Sequence, residues 1–519
     1  MSSKSRDLSS ANAGLASSPW PSAAILFLVS FAIRLREVSQ FPSWDLIPNA
    51  NRELGAIAIS LMQRGQFADP YAIPTGHTAH LPPMYPFIVS VIYRWFGLTP
   101  TAGYIVLLLI ALTASVLYAM LPWVAEQLGI RRHAGFIGGL AGAFLVEWHG
   151  HGEYLAAIFL ALILVAFARR WTKKQPSWHG SLLLGFVIGA TFHLQPALLP
   201  VVIGCFAFEL WWRKGLRDSL SLLVCALGIL FACAPWAWRN YRAFNATFFI
   251  RSNLGLELRM GNHEGAAATI EEMDAQPPSQ YQHPTLFPAE ASKLHDLGEI
   301  EYMRQAGRDA LDWARTHPGK FLLLTAQRIA NLWAGPLHRP MSVPGVLALT
   351  VLAFWGLCRV YPGLSMPQRA AWIIPLATFP VIYYFVAYMP RYRVPIDWIL
   401  YVLAGAMVWS WIGRADMPGE RTKVQARIPP PNNSLKPTRL AGEHGVVPRL
   451  PTSYRMKEAS PSRRAAWLEA VRRQLGQDVW RVDHGLLGVT HFDMRGPGIS
   501  QRVPPSGPLR RECRVHRRG

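Results

Sequence analysis

The sequence predicts an all-α polytopic membrane protein, a bundle of about ten transmembrane helices with interfacial helices beside it and a helical cap outside the bilayer. Three observations predict it. The 519 residues are 51% hydrophobic and only 16% charged, the charges gather between apolar runs, and those runs approach the ~20 residues that cross a bilayer. A soluble enzyme of this length would spread its charge along every surface helix.

Residues 1–20 are Ser-rich and carry Lys4 and Arg6, and the apolar run behind them lacks a small-residue cleavage site. That pattern reads as an uncleaved anchor with a cytoplasmic amino terminus. Apolar runs follow at 21–38, 101–121, 133–148, 153–168, 180–195, 196–212, 219–238, 343–360, 370–389 and 396–412. Arg131 and Arg132, Arg169 and Arg170 with Lys173 and Lys174, Arg213 with Lys214 and Arg217, Arg359 with Arg369, and Arg414 fall in alternate connections. Lys and Arg are retained on the cytoplasmic side, so the remaining connections face outward. The chain thus divides into an N-terminal transmembrane module at 21–238 containing a first outer loop at 39–86, an extracytoplasmic cap at 239–340, a C-terminal transmembrane module at 341–413 and a tail at 414–519. The expected home is a bacterial cytoplasmic membrane, with the chemistry on its outer face.

Within the first outer loop, Leu54, Ile57, Ala58, Leu61 and Met62 recur at helical spacing, an amphipathic helix lying in the membrane interface. Pro82, Pro83 and Pro86 close that module, and Tyr85–Phe96 reads as a second interfacial helix. In the cap, 288–316 carries a helical apolar stripe, and Pro318 restarts a helix running to Trp333. Residues 416–519 hold about 20 Lys plus Arg against 9 Asp plus Glu, with many Pro and Gly. This tail could attract anionic lipid or be a non-functional extension; nucleic acid is not expected as a partner. The five cysteines stand singly, without ligand spacing, and read as small core residues.

Carboxylates at a lipid-water boundary suggest chemistry on a lipid-borne substrate. Asp45, Glu53 and Asp69 lie in the first outer loop, followed by the run Thr78-Ala79-His80-Leu81-Pro82-Pro83-Met84-Tyr85-Pro86. Glu53 is the first choice for an acid that orients or deprotonates a nucleophile, with Asp45 second; as a plain helix start, Glu53 would also be favoured by the helix dipole. Arg239, Arg391 and Arg393 sit just outside apolar runs, where they could bind an anionic phosphate or anchor to headgroups. His80, Tyr85, Asn240, Asn253, Glu257 and Asn262 are substrate-contact candidates, or ordinary polar loop residues. Glu147, His149, His151 and Glu153 could ligate a divalent metal, although a hydrated turn is the simpler account, so no cofactor is assigned.

Several segments together resemble the membrane-embedded GT-C glycosyltransferases, family 39-like bacterial relatives of protein mannosyltransferases and aminoarabinose transferases. They are the stretch from Glu53 to Phe67, Gly76–Pro86, Pro235-Trp-Ala-Trp-Arg-Asn-Tyr241, Arg251–Glu257 with Gly261-Asn262, Leu297–Tyr302 and Arg391–Ile396. The resemblance covers 20–413 and implies a GT-C-like bundle. It implies transfer of a sugar from a polyprenyl-phosphate donor to a lipid, glycan or protein acceptor at the outer face, using an acidic residue in the first outer loop. Family members commonly carry Asp or an Asp-Glu pair there, whereas this chain offers Glu53 and, eight residues earlier, Asp45. The competing classes are a transporter or flippase of lipid-linked sugars and a surface-polysaccharide ligase or polymerase. The mid-span residues are mostly Leu, Ala, Val and Phe, and the two halves do not repeat each other, which favours transfer over transport.

Overall fold

A computed structural model describes residues 20–41, 53–145, 152–173, 175–275 and 283–412, and every regular element among them is an α- or 3-10 helix. Asp45, Glu147, His149, His151, the amino-terminal segment and the tail fall outside the described residues. Among the described residues, six helical stretches are long and apolar enough to cross a membrane: Pro100–Gln127, Glu153–Thr172, Pro196–Arg213, Leu216–Phe244, Val343–Gly363 and Pro390–Ile412. The protein is an all-α, multi-pass membrane protein.

We number the helices α1 (Trp20–Ser39), α2 (Glu53–Arg64), α3 (Met84–Phe96), α4 (Pro100–Gln127), α5 (Arg132–Leu145), α6 (Glu153–Thr172), α7 (Trp178–Phe192), α8 (Leu199–Arg213) and α9 (Leu216–Phe244). The cap carries α10 (Leu254–Gly261), α11 (Ile270–Asp274), α12 (Pro288–Leu297), α13 (Glu299–Thr316) and α14 (Pro318–Ala334). Three more follow, α15 (Val343–Val360), α16 (Met366–Thr378) and α17 (Val394–Ile412). Each expected apolar run has its helix, but not all are full spans. The run expected at 370–389 stops being α-helical at Thr378, because Pro375 and Pro380 cannot donate to the ladder, and the chain tightens into a 3-10 turn over Phe379–Tyr384. The stripe at 288–316 is two helices, broken at Gly298, whose φ of 76° suits glycine.

In lipid no hydrophobic force separates helix from helix, so close packing decides which ones pair. Small residues make the contacts here. A side chain at Gly185 of α7 would meet the Cys225 carbonyl of α9 at 2.0 Å, and one at Gly405 of α17 would meet the Ala134 carbonyl of α5 at 2.2 Å. Helix α17 is apolar on all sides and buried from Val394 to Met407, apart from the half-buried Asp397, so it occupies the middle of the bundle. At one end of the bundle Arg170 donates to Glu209 at 2.8 Å and to the hydroxyls of Ser181 and Ser221, while the Trp171 indole also donates to Glu209. One satisfied ion pair thereby ties α6, α7, α8 and α9 together.

The opposite end carries the candidate site. Helices α2 and α3 pack on one another there, burying Ala58, Tyr85 and Val89 with Ala156 of α6 and Leu194. The connection between them folds back on itself: Asp69 N–H donates to the Gly76 carbonyl and Thr78 N–H to the Phe67 carbonyl, and the Asp69 carboxylate accepts from the amides of Thr75 and Gly76. Asp69 therefore holds the loop's shape.

Candidate active site

Glu53 occupies the first turn of α2, where the helix dipole favours an acid. Three side chains converge on its carboxylate: His80 Nε2 at 3.1 Å, His283 Nε2 at 3.5 Å, and the Thr285 hydroxyl, which donates at 2.9 Å. The last two come from the cap, brought down by the Ala72 amide, which donates to the Pro284 carbonyl. Thr285 N–H donates to His283 Nδ1, so in its neutral form that ring carries its proton on Nε2, facing Glu53. The Tyr71 ring meets His80 edge-on at 5.2 Å and closes the cluster from the loop side.

The electrostatics follow from burial set against this company. Burial pushes the Glu53 carboxyl up, but the charge and hydrogen bond of His80, then His283 and Thr285, outweigh it and hold the group well below the usual carboxylate range. Burial pushes His80 down, and Glu53 more than offsets it, leaving His80 above its ordinary value. His283, more strongly governed by burial and by neighbouring His80, lies below its ordinary value. Burial, then Glu299 and Glu53, push the Tyr71 phenol well up. His80 Nδ1 and the Tyr71 hydroxyl are buried without a hydrogen-bond partner among the described residues.

The amide and carbonyl groups of Ala79 and His80 are all accounted for. The Ala79 amide donates to Glu299 Oε1, the Ala79 carbonyl accepts from Ser252 N–H, the His80 amide donates to Thr78 Oγ1, and the His80 carbonyl accepts from Arg251 Nε. Arg239 secures the strip below, donating to the carbonyls of Thr78 and Phe67 with its guanidinium 4.8 Å from the Trp236 ring centroid.

The expected substrate contacts divide by what they touch. Arg239 works as a loop clamp, and buried Asn240 accepts from it. Asn253 donates to Glu257, which faces Arg251 at 3.8 Å. Asn262 is locked between the Leu258 and Phe385 carbonyls and Arg328, a structural joint of the cap. Arg393 pairs with Asp397 at 2.5 Å and donates to the Leu332 carbonyl, so its charge is balanced inside the bundle. Tyr85 packs against Gly152 and within the apolar cluster of α2 and α3. Glu153, at the start of α6, faces Arg391 at 3.9 Å. Arg391 is the expected arginine held only by that long ion pair: its Nε has no hydrogen-bond partner among the described residues, and Glu153, Glu53 and Glu257 all act on it electrostatically.

Sequence reasoning did not single out His283, Thr285, Tyr71 or Arg251. Arg251 had a signal, since it opens a quoted segment; His283, between Gln282 and Pro284, had none. Glu147, His149 and His151 of the expected metal candidates lie outside the described residues; among the described ones a different group is metal-capable. Glu53, His80 and His283 offer three ligand atoms within 4.8 Å of one another, and two imidazoles with a carboxylate suit a divalent first-row ion.

No family model and no curated protein matches the chain. Two solved structures are similar to it. The apo oligosaccharyltransferase of Archaeoglobus fulgidus is 14% identical with a TM-score of 0.44, over 79% of this chain and 52% of that one, so this chain spans about half of its length. ArnT from Cupriavidus metallidurans, bound to undecaprenyl phosphate, is 13% identical with a TM-score of 0.27, over 75% of this chain and 77% of that one.

Proposed function

We propose that the protein is a GT-C type glycosyltransferase of the bacterial cytoplasmic membrane, moving a sugar from a polyprenyl-phosphate donor to an acceptor hydroxyl at the outer face. One observation carries the reading: a carboxylate at the start of a helix in the first outer loop grips two histidines, and the nitrogen of His80 turned away from it is buried without a hydrogen-bond partner among the described residues.

Glu53, held far below the usual carboxylate range, is a poor proton acceptor. Its role is to orient. With Nε2 of His80 donating to Glu53, the lone pair on Nδ1 takes the proton as the acceptor oxygen bonds to the anomeric carbon, and the carboxylate stabilises the imidazolium that results. The bond from the anomeric carbon to the phosphate oxygen breaks in the same displacement, and its electrons leave with the polyprenyl phosphate. Arg391 and Arg251, whose charges already face the acids of this region, would receive that charge. Direct displacement inverts the anomeric centre. Asp45 remains the alternative acid, to be tested alongside.

A metal-assisted form of the same reaction is favoured by the Glu53, His80 and His283 donor set. A divalent cation held there would neutralise charge on the leaving phosphate.

Transfer is tested with purified protein in detergent, supplied with radiolabelled polyprenyl-phosphate sugars and envelope acceptors. Product formed without a sealed compartment supports the enzyme; activity seen only as movement across sealed vesicles sinks it in favour of a transporter. Full activity in chelator removes the metal-assisted form.

A further inference from the structure

Besides His283 and Thr285, the cap sends one further carboxylate to the site. Glu299 is the first residue of α13, 6% exposed, and its Oε1 accepts both from the Ala79 amide at 2.8 Å and from the Ser252 hydroxyl at 2.5 Å. A dipole-favoured acid at a helix start would ordinarily be solvated or would cap its own helix. Glu299 instead bonds the peptide group next to His80, 220 residues away in sequence. Its second oxygen is buried without a partner among the described residues, so the first oxygen carries its whole hydrogen-bonding role there. Helix α13 is itself pinned: a side chain at Gly255 of α10 would meet the Met303 carbonyl at 1.8 Å, so the two helices touch backbone to backbone. Ser252 and Arg251, just before α10, hold the carbonyls of Ala79 and His80 from the same side.

We propose that Glu299 is a positioning residue, which through the Ala79 amide holds His80 against Glu53 so that the cap sets the geometry of the site. The inference rests on the reading of His80 as part of the active site, but its test reads the placement of His80 and not transfer. Two histidines three residues apart supply the measurement: His77 is exposed and His80 is 1% exposed. Diethyl pyrocarbonate modification, resolved residue by residue by mass spectrometry, should label His77 and spare His80 in the wild type. In Glu299→Ala the labelling rate of His80 should rise about tenfold, the change that losing a charge-assisted hydrogen bond makes in a local opening equilibrium, with His77 unchanged. Glu299→Gln keeps an oxygen that accepts the same two bonds and should restore protection, whereas Glu299→Met, of similar size but without that acceptor, should leave His80 as exposed as in Glu299→Ala; protection restored by Met as well as by Gln would reduce Glu299 to a space-filling residue and overturn the proposal. Ser252→Ala removes one of the two bonds and tests the clamp should Glu299→Ala not fold; a several-fold rise is expected. Protection of His80 unchanged in the Ala variants, or lost equally in Glu299→Gln, overturns the proposal.

Discussion

The pairing of Glu53 with His80 makes the site's pH behaviour specific. The folded value of His80 lies above its ordinary one, so the pair's contribution to stability is fully present below about pH 6.5 and is lost as pH rises through the folded value. Glu53 is depressed, so its contribution is present above about pH 4.3 and lost as pH falls toward the folded value. The site is therefore firmest between those limits, while catalysis needs His80 unprotonated. The acid limb of kcat/KM should accordingly lie above pH 6.5, and in Glu53→Gln the residual activity should titrate lower; an identical limb in both would show that another group is being read. Arg391→Gln should weaken binding of the proposed polyprenyl-phosphate donor by about tenfold or more without unfolding the protein, the loss expected for one charge-assisted contact, whereas unchanged binding would remove Arg391 from the proposed phosphate site. At this scale the sequence was legible where a residue's neighbours are local. Glu53 announced itself by heading an amphipathic helix. His283 did not, because it lies 230 positions further along the chain and meets Glu53 only through tertiary folding, and Arg239 looked like an interfacial cation because its carbonyl partners are set by a loop no periodicity describes.

Among the elements, helix periodicity and apolar length carried most of the reading. Where expectation and structure part, the cause is a specific backbone residue: Gly298 splits one expected cap helix in two, and Pro375 with Pro380 shortens another run. The buried Arg170–Glu209 pair was not legible, since Arg170 in sequence is one of a basic cluster closing an apolar run. It should matter to folding. Glu209→Ala leaves the guanidinium buried with only its two serine partners, Ser181 and Ser221, and should cost about 3–5 kcal/mol, measurable as a lowered unfolding midpoint in detergent. A midpoint like that of the wild type would mean that water reaches Arg170 and the network is not closed.

For the molecule as a whole, composition alone made the class legible, and the alternation of basic connections predicts the orientation that the proposed chemistry requires. The basic cluster around Arg170 and Arg213 and the Glu53 cluster stand at opposite ends of the bundle. Single cysteines at 77 and 178, in a background free of exposed thiols, should therefore differ: an impermeant thiol reagent added to intact cells should label the first and not the second, and the reverse pattern would place the site in the cytoplasm. What composition could not convey is that one wall of the site is built by the cap, because nothing local links 283–299 to 53–80. The most direct test of the central claim is the rate of sugar transfer from a polyprenyl-phosphate donor by Glu53→Gln against wild type, with His77→Gln as the neighbouring control. Loss of the orienting carboxylate should lower that rate by about 10²–10⁴ while the control stays at wild-type level; equal rates in all three proteins would contradict the assignment of the reaction to this cluster.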